Sequence, residues 1–267
     1  MNRSGVEIAG IVNITADSFS DGGKYLAPDS AIAHARTLAE EGADIVDLGA
    51  RSSHPDAAFV SGEEEIARLA PVVAALRSTD VRISVDSSQV ETQRWCIDAG
   101  VDIINDVSGF GAPHFWSELA DAETDLVLMH SICRSDRATR ESTDPAAVVR
   151  GVYEFFTRRM AELIKAGVQE SRIILDPGMG FFLGEGPEPS LAVLREIPRL
   201  KQDFGRPLMI SVSRKSFLGA ITGRAIADRA SATLAAELFA WRQGADILRT
   251  HDVAALADGI AVTSRLG

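Results

Sequence analysis

Each short apolar run of this 267-residue chain ends on a polar residue: Asn13, Asp47, Asp86, Asn105, His130, Asp176, Ser211 with Ser213, and Arg249 with His251. Two chemistries are represented. Asp86, Asn105 and Asp176 offer carboxylate and amide groups to a flat heterocycle with several N–H donors, such as a guanidine-like or pyrimidinone ring. Ser213, Arg214, Lys215, Arg249 and His251 supply cations and donors that suit a phosphate. Lys215 is also the residue type that forms Schiff bases. Any one polar strand end is explained by a strand reaching water, whereas eight together mark a pocket. Asp47 has a competing reading, a structural ion pair with nearby Arg51. A last oddity is IILDPGMGFFLGEGPEP at 173–189, where the run ends on Asp176 and Phe181 and Phe182 follow in what reads as an exposed turn.

The elements that must position these residues are legible from periodicity. Runs rich in Val, Ile and Leu occur at EIAGIVNI, ADIVDLG, VRISVDS, VDIINDV, DLVLMHS, RIILDPG, PLMISVS and ADILRTH, and most are separated by stretches of helical period. Ile66, Leu69, Val73 and Leu76 form one helical stripe, preceded by a capping box at Ser61 and Glu64. Val149, Val152, Phe156, Met160 and Leu163 form another. GADIVD at 42, GVDIIN at 100 and GADILR at 244 repeat one unit, a glycine that stops a helix followed at once by a buried strand. Near-continuous apolar strands joined by helices predict a parallel sheet, and eight such units close into a (β/α)₈ TIM-type barrel. The rival is a doubly wound open sheet, which lacks support because no G-x-G-x-x-G follows the first strand. In a barrel the polar strand ends share the C-terminal face, where the last two strands often hold a phosphate.

Composition sets the surroundings. With 46% hydrophobic and 24% charged residues, and no linker or low-complexity tract, residues 1–267 read as one soluble domain. The formal net charge of -11 argues against a nucleic-acid or anionic membrane surface, so any anion is held by local groups. Cys96 and Cys133 make no metal or CxxC spacing, and the first residues carry neither a signal peptide nor a spanning helix. These features point to a reducing cytosol.

Seven ordered motifs carry a resemblance over nearly the whole chain: NITADSFSDGG at 13–23, ISVDSS at 83–88, IINDVSG at 103–109, LMHS at 128–131, LDPGMGF at 175–181, SRKSFLG at 213–219 and RTHDV at 249–253. Together they resemble dihydropteroate synthase. The resemblance implies a pterin-binding barrel that displaces diphosphate from 7,8-dihydropterin-6-ylmethyl diphosphate with the amine of 4-aminobenzoate. It assigns Asp86, Asn105, Asp176 and Lys215 to pterin hydrogen bonds, with Met129, Phe181 and Arg249 beside the ring. Asn13, Ser53, His54, Ser213, Arg249 and His251 fall on the diphosphate side, with Mg²⁺ at Asn13. Phe19, Pro55, Phe181, Phe182, Lys215 and Ser216 border the aminobenzoate site, and Asp21 joins Asp86, Lys215 and Arg249 as a catalytic position. A cytoplasmic homodimer is also implied, with the helices near 228–243 as its surface.

Three departures from the family pattern stand out. Ala16 replaces a proline in the first loop. His54 replaces an arginine in the second, and an imidazole cannot make the same fork. At 180–183 the usual G-F-G-K becomes Gly180, Phe181, Phe182 and Leu183, which loses a cation, gains a ring, and resembles the sulfonamide-insensitive branch. The arginine-containing segment at 131–143 reads as a solvated loop. Three rival functions remain: a methyltransferase barrel acting on a corrinoid protein, a silent pterin-binding subunit and an aldolase-type barrel. The SRK turn speaks against the first, and retention of Asn13, Arg249 and His251 against the second.

Overall fold

The computed structural model describes residues 5–15, 28–51, 59–133 and 141–266. Its strands are β1 (Glu7–Asn13), β2 (Ile45–Gly49), β3 (Arg82–Asp86), β4 (Ile103–Asp106), β5 (Asp125–Met129), β6 (Ile173–Asp176), β7 (Met209–Ile210) and β8 (Ile247–Thr250). The α-helices among the described residues are α1 (Pro28–Glu40), α2 (Gly62–Leu76), α3 (Val90–Asp98), α4 (Trp116–Asp121) and α5 (Pro145–Lys165), followed by α6 (Glu188–Arg195), α7 (Ile197–Phe204), α8 (Ser216–Thr222), α9 (Ala230–Arg242) and α10 (Val253–Leu266). The sheet is parallel, in the order β6-β5-β4-β3-β2-β1-β8-β7. A parallel bridge between Leu175 and Leu208 joins its two ends, and Leu175 N–H donates to Pro207 O at 2.9 Å. The barrel is therefore closed and the doubly wound alternative is excluded.

Strand alternation builds two cores. Ala9, Ile45, Ile103, Val127, Ile174, Met209 and Ile247, from seven different strands, pack together in the lumen. The intervening residues, among them Val46, Val85, Ile104, Leu128, Leu175, Ile210 and Leu248, pack outward into the larger core shared with the helices. Each fully buried side chain of this size contributes about 1.5–3 kcal/mol. A slip of one residue would exchange the two faces, so the pattern also fixes which polar residues enter the pocket.

Local signals behave as expected, with small shifts of phase. The α2 capping box is present, Ser61 and Glu64 each accepting from the other's backbone N–H at 3.2 Å. The buried stripe of α2 is Leu69, Val72, Val73 and Leu76, with Ile66 only half-buried. In α5 it is Val148, not Val149, that joins Val152, Phe156, Met160 and Leu163. Gly42, Gly100 and Gly244 take φ of 100°, 62° and 102°, the left-handed conformation that ends a helix at little cost only for glycine. Among the described residues no helix is long and apolar enough to cross a membrane.

Candidate active site

The alternation carries through the strand ends. Two residues above the lumen layer stand Asp47, Asn105, Met129, Asp176, Ser211 and Arg249, with Ser84 and Asp86 at the same parity on β3. His130 has the opposite parity, which corrects its place among the convergent residues. Its ring lies edge-on to Phe155 of α5, with centroids 5.5 Å apart. Burial lowers its pKa to about 4, so the neutral ring uses Nδ1–H to reach Pro177 O at 3.2 Å. His130 N–H also donates to Asp176 O at 2.8 Å, and its own carbonyl leaves no room for a Cβ at Gly178. The residue thus aligns the ends of β5 and β6 and takes no part in the pocket.

Arg249 is the electrostatic centre. Its Nε meets Asp47 Oδ2 at 2.6 Å and its Nη2 meets Asp86 Oδ2 at 2.9 Å. Asp47 is fully buried and also accepts from Ser84 Oγ at 2.5 Å. Its partner is therefore an arginine 202 residues away, and Arg51 pairs instead with Glu65 of α2 at 3.4 Å. Burial works against the charge on Arg249, but Asp47 and Asp86 outweigh it and hold the guanidinium above its usual range. Burial pushes Asp86 up to about 7 against the pull of Arg249 and Lys215, and Asp47 pushes the same way. Asp176 rises to about 6 through burial, opposed by the Gly178 N–H at 2.7 Å. Burial and then Arg249 bring Lys215 down to about 8. An acid and a base thus straddle neutrality within one pocket, a common property of catalytic clusters.

The SRK turn brings the remaining cationic positions. Arg214 adopts φ of 58°, held by its N–H donating to Thr233 Oγ1 at 3.0 Å, and Arg229 of the turn before α9 binds the Arg214 and Lys215 carbonyls. Ser213 Oγ accepts the His251 N–H at 3.2 Å and meets its Nδ1 at 2.9 Å. Burial, reinforced by Arg214, Arg249 and Lys215, drives the His251 pKa well below its ordinary value. His251 is thus a neutral hydrogen-bonding group and does not add to the cationic charge. Asn13 ends β1, beside Gly49 of β2.

The two rings part company. Phe182 is 5% exposed and packs with Met129 and Val107, while Phe181 is half-buried. The Lys215 ammonium lies 5.1 Å from the Phe182 ring centroid, a cation–π arrangement. The expectation of an exposed Phe182 fails because Gly178 and Gly180, at φ of 76° and 66°, fold the turn back over the barrel. Gly180 brings the turn against Lys215 and Ser216, whose side chains lie within 3.5 Å of where its Cβ would be. Residues 134–140 of the segment at 131–143, with its arginines, lie outside the described residues, and its two ends are tied to the turn. Ile132 N–H donates to Phe182 O at 3.0 Å, Glu185 N–H to Glu141 O at 2.7 Å, and Thr143 Oγ1 to Leu183 O at 2.8 Å.

Of the sequence candidates, Phe19, Asp21, Ser53, His54 and Pro55 lie outside the described residues. One residue escaped sequence reading altogether. Glu65, fully buried, accepts from Ser87 Oγ at 2.5 Å and Thr92 Oγ1 at 2.7 Å, bracing the turn that follows Asp86. Its signal was an acid four residues before Leu69, on the buried face of α2.

Residues 9–251 match the family described as pterin binding enzyme. Dihydropteroate synthase type-3 of Escherichia coli is 52% identical over 261 residues, covering 98% of this chain and 99% of the relative. The type-2 enzyme of Escherichia coli is 50% identical over 266 residues, covering 100% and 97%. Among solved structures, Xanthomonas albilineans dihydropteroate synthase with 4-aminobenzoic acid superposes with a TM-score of 0.88 at 36% identity, covering 99% of this chain and 94% of that one. With the barrel, the acid–amide floor and the SRK turn in place, the chain belongs to the pterin-binding enzyme family, among its dihydropteroate synthases.

Proposed function

We propose that this pocket condenses 7,8-dihydropterin-6-ylmethyl diphosphate with 4-aminobenzoate to give 7,8-dihydropteroate and diphosphate. The observation that carries the reading is the convergence of Asp86, Asn105 and Asp176 with Lys215 and Arg249 at one end of the barrel lumen. Asp176 and Asn105 present acceptors and an amide to the pterin edge. Arg249, Ser213 and neutral His251 face the leaving group. As the carbon–oxygen bond breaks, its electron pair departs on diphosphate, and ionised Asp86 opposes the positive charge left on the methylene carbon. The aniline nitrogen closes the new carbon–nitrogen bond and sheds a proton to solvent. The test is diphosphate release with the pterin diphosphate, with and without 4-aminobenzoate; release indifferent to the amine would overturn the reading.

Mg²⁺ is part of the proposal. Its fit rests on the chemistry of the Asn13 side chain, whose amide oxygen is a hard donor at the C-terminal end of β1. Magnesium commonly binds one or two protein oxygens and completes its shell with phosphate and water, so no cluster of acids is required. Bound there with the substrate diphosphate, it would neutralise charge on the leaving group.

Poor sulfonamide binding belongs to the same reading. The turn at 180–185 is tied at Phe182 by Ile132, at Leu183 by Thr143 and at Glu185 by Glu141, so the Phe182 ring forms a stiff wall near Lys215. A planar aminobenzoate carboxylate passes such a wall more readily than a tetrahedral sulfonyl group bearing a further ring.

A homodimer is proposed across α6, α8 and α9. An apolar groove of about 390 Å³ there is lined by Leu191, Leu194, Leu218, Ala236 and Phe239 among others. Ile221 and Phe239 beside it are 53% and 42% exposed, an apolar face that a second copy of the chain would cover. We place the enzyme in the cytoplasm on the grounds of composition.

A further inference from the structure

Ser211 was recognised in sequence as a polar strand end but belongs to none of the substrate assignments above. Its position follows from the packing on either side. Leu208, Ile210 and Val212 lie in the outer core and Met209 in the lumen layer, so Ser211 takes the lumen parity. The pairing of Met209 with Ile247 and of Ile210 with Leu248, continued by one residue, sets Ser211 beside Arg249. The Leu175–Leu208 bridge likewise sets it one lumen step above Asp176. The residue therefore stands between the cation and the acid of the proposed pterin site.

Ser211 is 6% exposed, and its hydroxyl makes no hydrogen bond to the described residues. Three other buried side-chain oxygens share that state among the described residues: Glu65 Oε1, Glu237 Oε1 and Asn105 Oδ1. Glu65 Oε1 has Arg51 at 3.4 Å, and Glu237 lies on α9, outside the barrel. Among the described residues, only Asn105 and Ser211 leave an unpaired buried side-chain oxygen on the lumen side. Folded proteins rarely bury a polar atom without a partner unless a ligand or water supplies one. Serine hydroxyls also turn about χ1 at little cost, so this one can swing toward a ring placed against Arg249 and Asp176.

We propose that the Ser211 hydroxyl is a direct pterin contact that hydrogen-bonds the polar edge of the ring together with Asn105 and Asp176. This rests on the pterin reading of the pocket. Because a hydroxyl both donates and accepts, it accommodates a ring nitrogen, carbonyl or amine at that edge. A ring carrying only C–H there would leave the hydroxyl unpaired and bind less well.

The test compares Ser211→Ala, Ser211→Gly and Ser211→Thr with the parent enzyme, using calorimetric titration with 7,8-dihydropteroate and thermal melting without ligand. Ser211→Ala and Ser211→Gly are expected to weaken 7,8-dihydropteroate binding by about 3- to 10-fold, the range of one neutral hydrogen bond. Ser211→Thr, which keeps the hydroxyl, is expected to stay closer to the parent. The Tm of Ser211→Ala is expected to hold or rise, since an unpaired buried hydroxyl has been removed, and KM for 4-aminobenzoate to stay within about twofold. Unchanged affinity in Ser211→Ala, with Tm lowered or not, would overturn the contact while leaving the pterin site standing. Failure of the parent enzyme itself to bind 7,8-dihydropteroate would overturn both.

Discussion

Asp86 and Lys215 are the residues whose protonation the chemistry needs opposed: a carboxylate to face a methylene cation and an ammonium to hold the ring. Burial raises the first to about 7 and lowers the second to about 8. The active form, Asp86 ionised with Lys215 protonated, accumulates as pH rises through about 7 and disappears above about 8. A narrow bell in kcat/KM against pH is expected. Lys215→Arg should carry the upper limb to higher pH, and a limb that stays put would show that another group sets it. Asp86→Asn keeps an acceptor for the ring but loses the charge, so kcat should drop by about 10²–10³-fold while 7,8-dihydropteroate affinity changes by less than about tenfold. Calorimetry beside steady-state kinetics separates the two. Equal losses in both would reduce Asp86 to a binding group. Period-2 alternation brings all three acceptors to the lumen side: Asn105 and Asp176 stand two residues above Ile103 and Ile174, and Asp86 two above Ser84. The sequence misplaces His130 because the β5 run, read without its phase, gives no sign that Met129 rather than His130 takes the lumen side.

The turn from Gly180 to Leu183 departs from its family pattern, and it is tied in place by hydrogen bonds from Ile132 and Thr143. Phe182→Gly removes a buried ring and should cost about 3–5 kcal/mol in stability, as truncation of a buried phenylalanine does. Phe182→Leu is a gentler companion that retains part of the volume. Both should lower the inhibition constant of a sulfonamide more than they change KM for 4-aminobenzoate. Thr143→Val, which deletes only the hydrogen bond to the Leu183 carbonyl, should loosen the same wall and produce a smaller shift in the same direction. Steady-state inhibition with one sulfonamide across the three variants checks this. Inhibition and Michaelis constants that move together would make Phe182 a packing residue and nothing more. The sequence shows the ring but sets it at an exposed turn, since two glycines with positive φ reverse the chain here and bring Phe182 onto Met129, Val107 and Lys215.

At the scale of the molecule, Glu237 on α9 carries a pH dependence of stability. It is 2% exposed and hydrogen-bonded by Thr250, yet burial raises its pKa from 4.5 to about 8. A folded value above the unfolded one means that its contribution is intact below the ordinary carboxylate range. That contribution is then lost as pH rises toward 8, by up to about 1.4 kcal/mol for each pH unit crossed. Glu237→Gln keeps the shape without the proton, so Tm in the variant should fall less steeply between pH 5 and pH 8; parallel melting curves would rule Glu237 out as the cause. The dimer prediction belongs to this scale as well: Phe239→Glu should convert the species seen by sedimentation to a monomer, and a parent enzyme already monomeric would defeat the proposal. The sequence by itself determined the eight strands, the glycine-stopped helices, the parallel sheet and the polar strand ends, because each follows from local conformational preference and from the period at which apolar residues recur. Only the tertiary structure decided that Asp47 is held by Arg249 and not Arg51, that Glu65 braces the turn after Asp86, that His251 stays neutral and that Phe182 is buried under Lys215. Each of these depends on which distant side chain lies within hydrogen-bonding distance once the barrel closes, and on how much water closure removes.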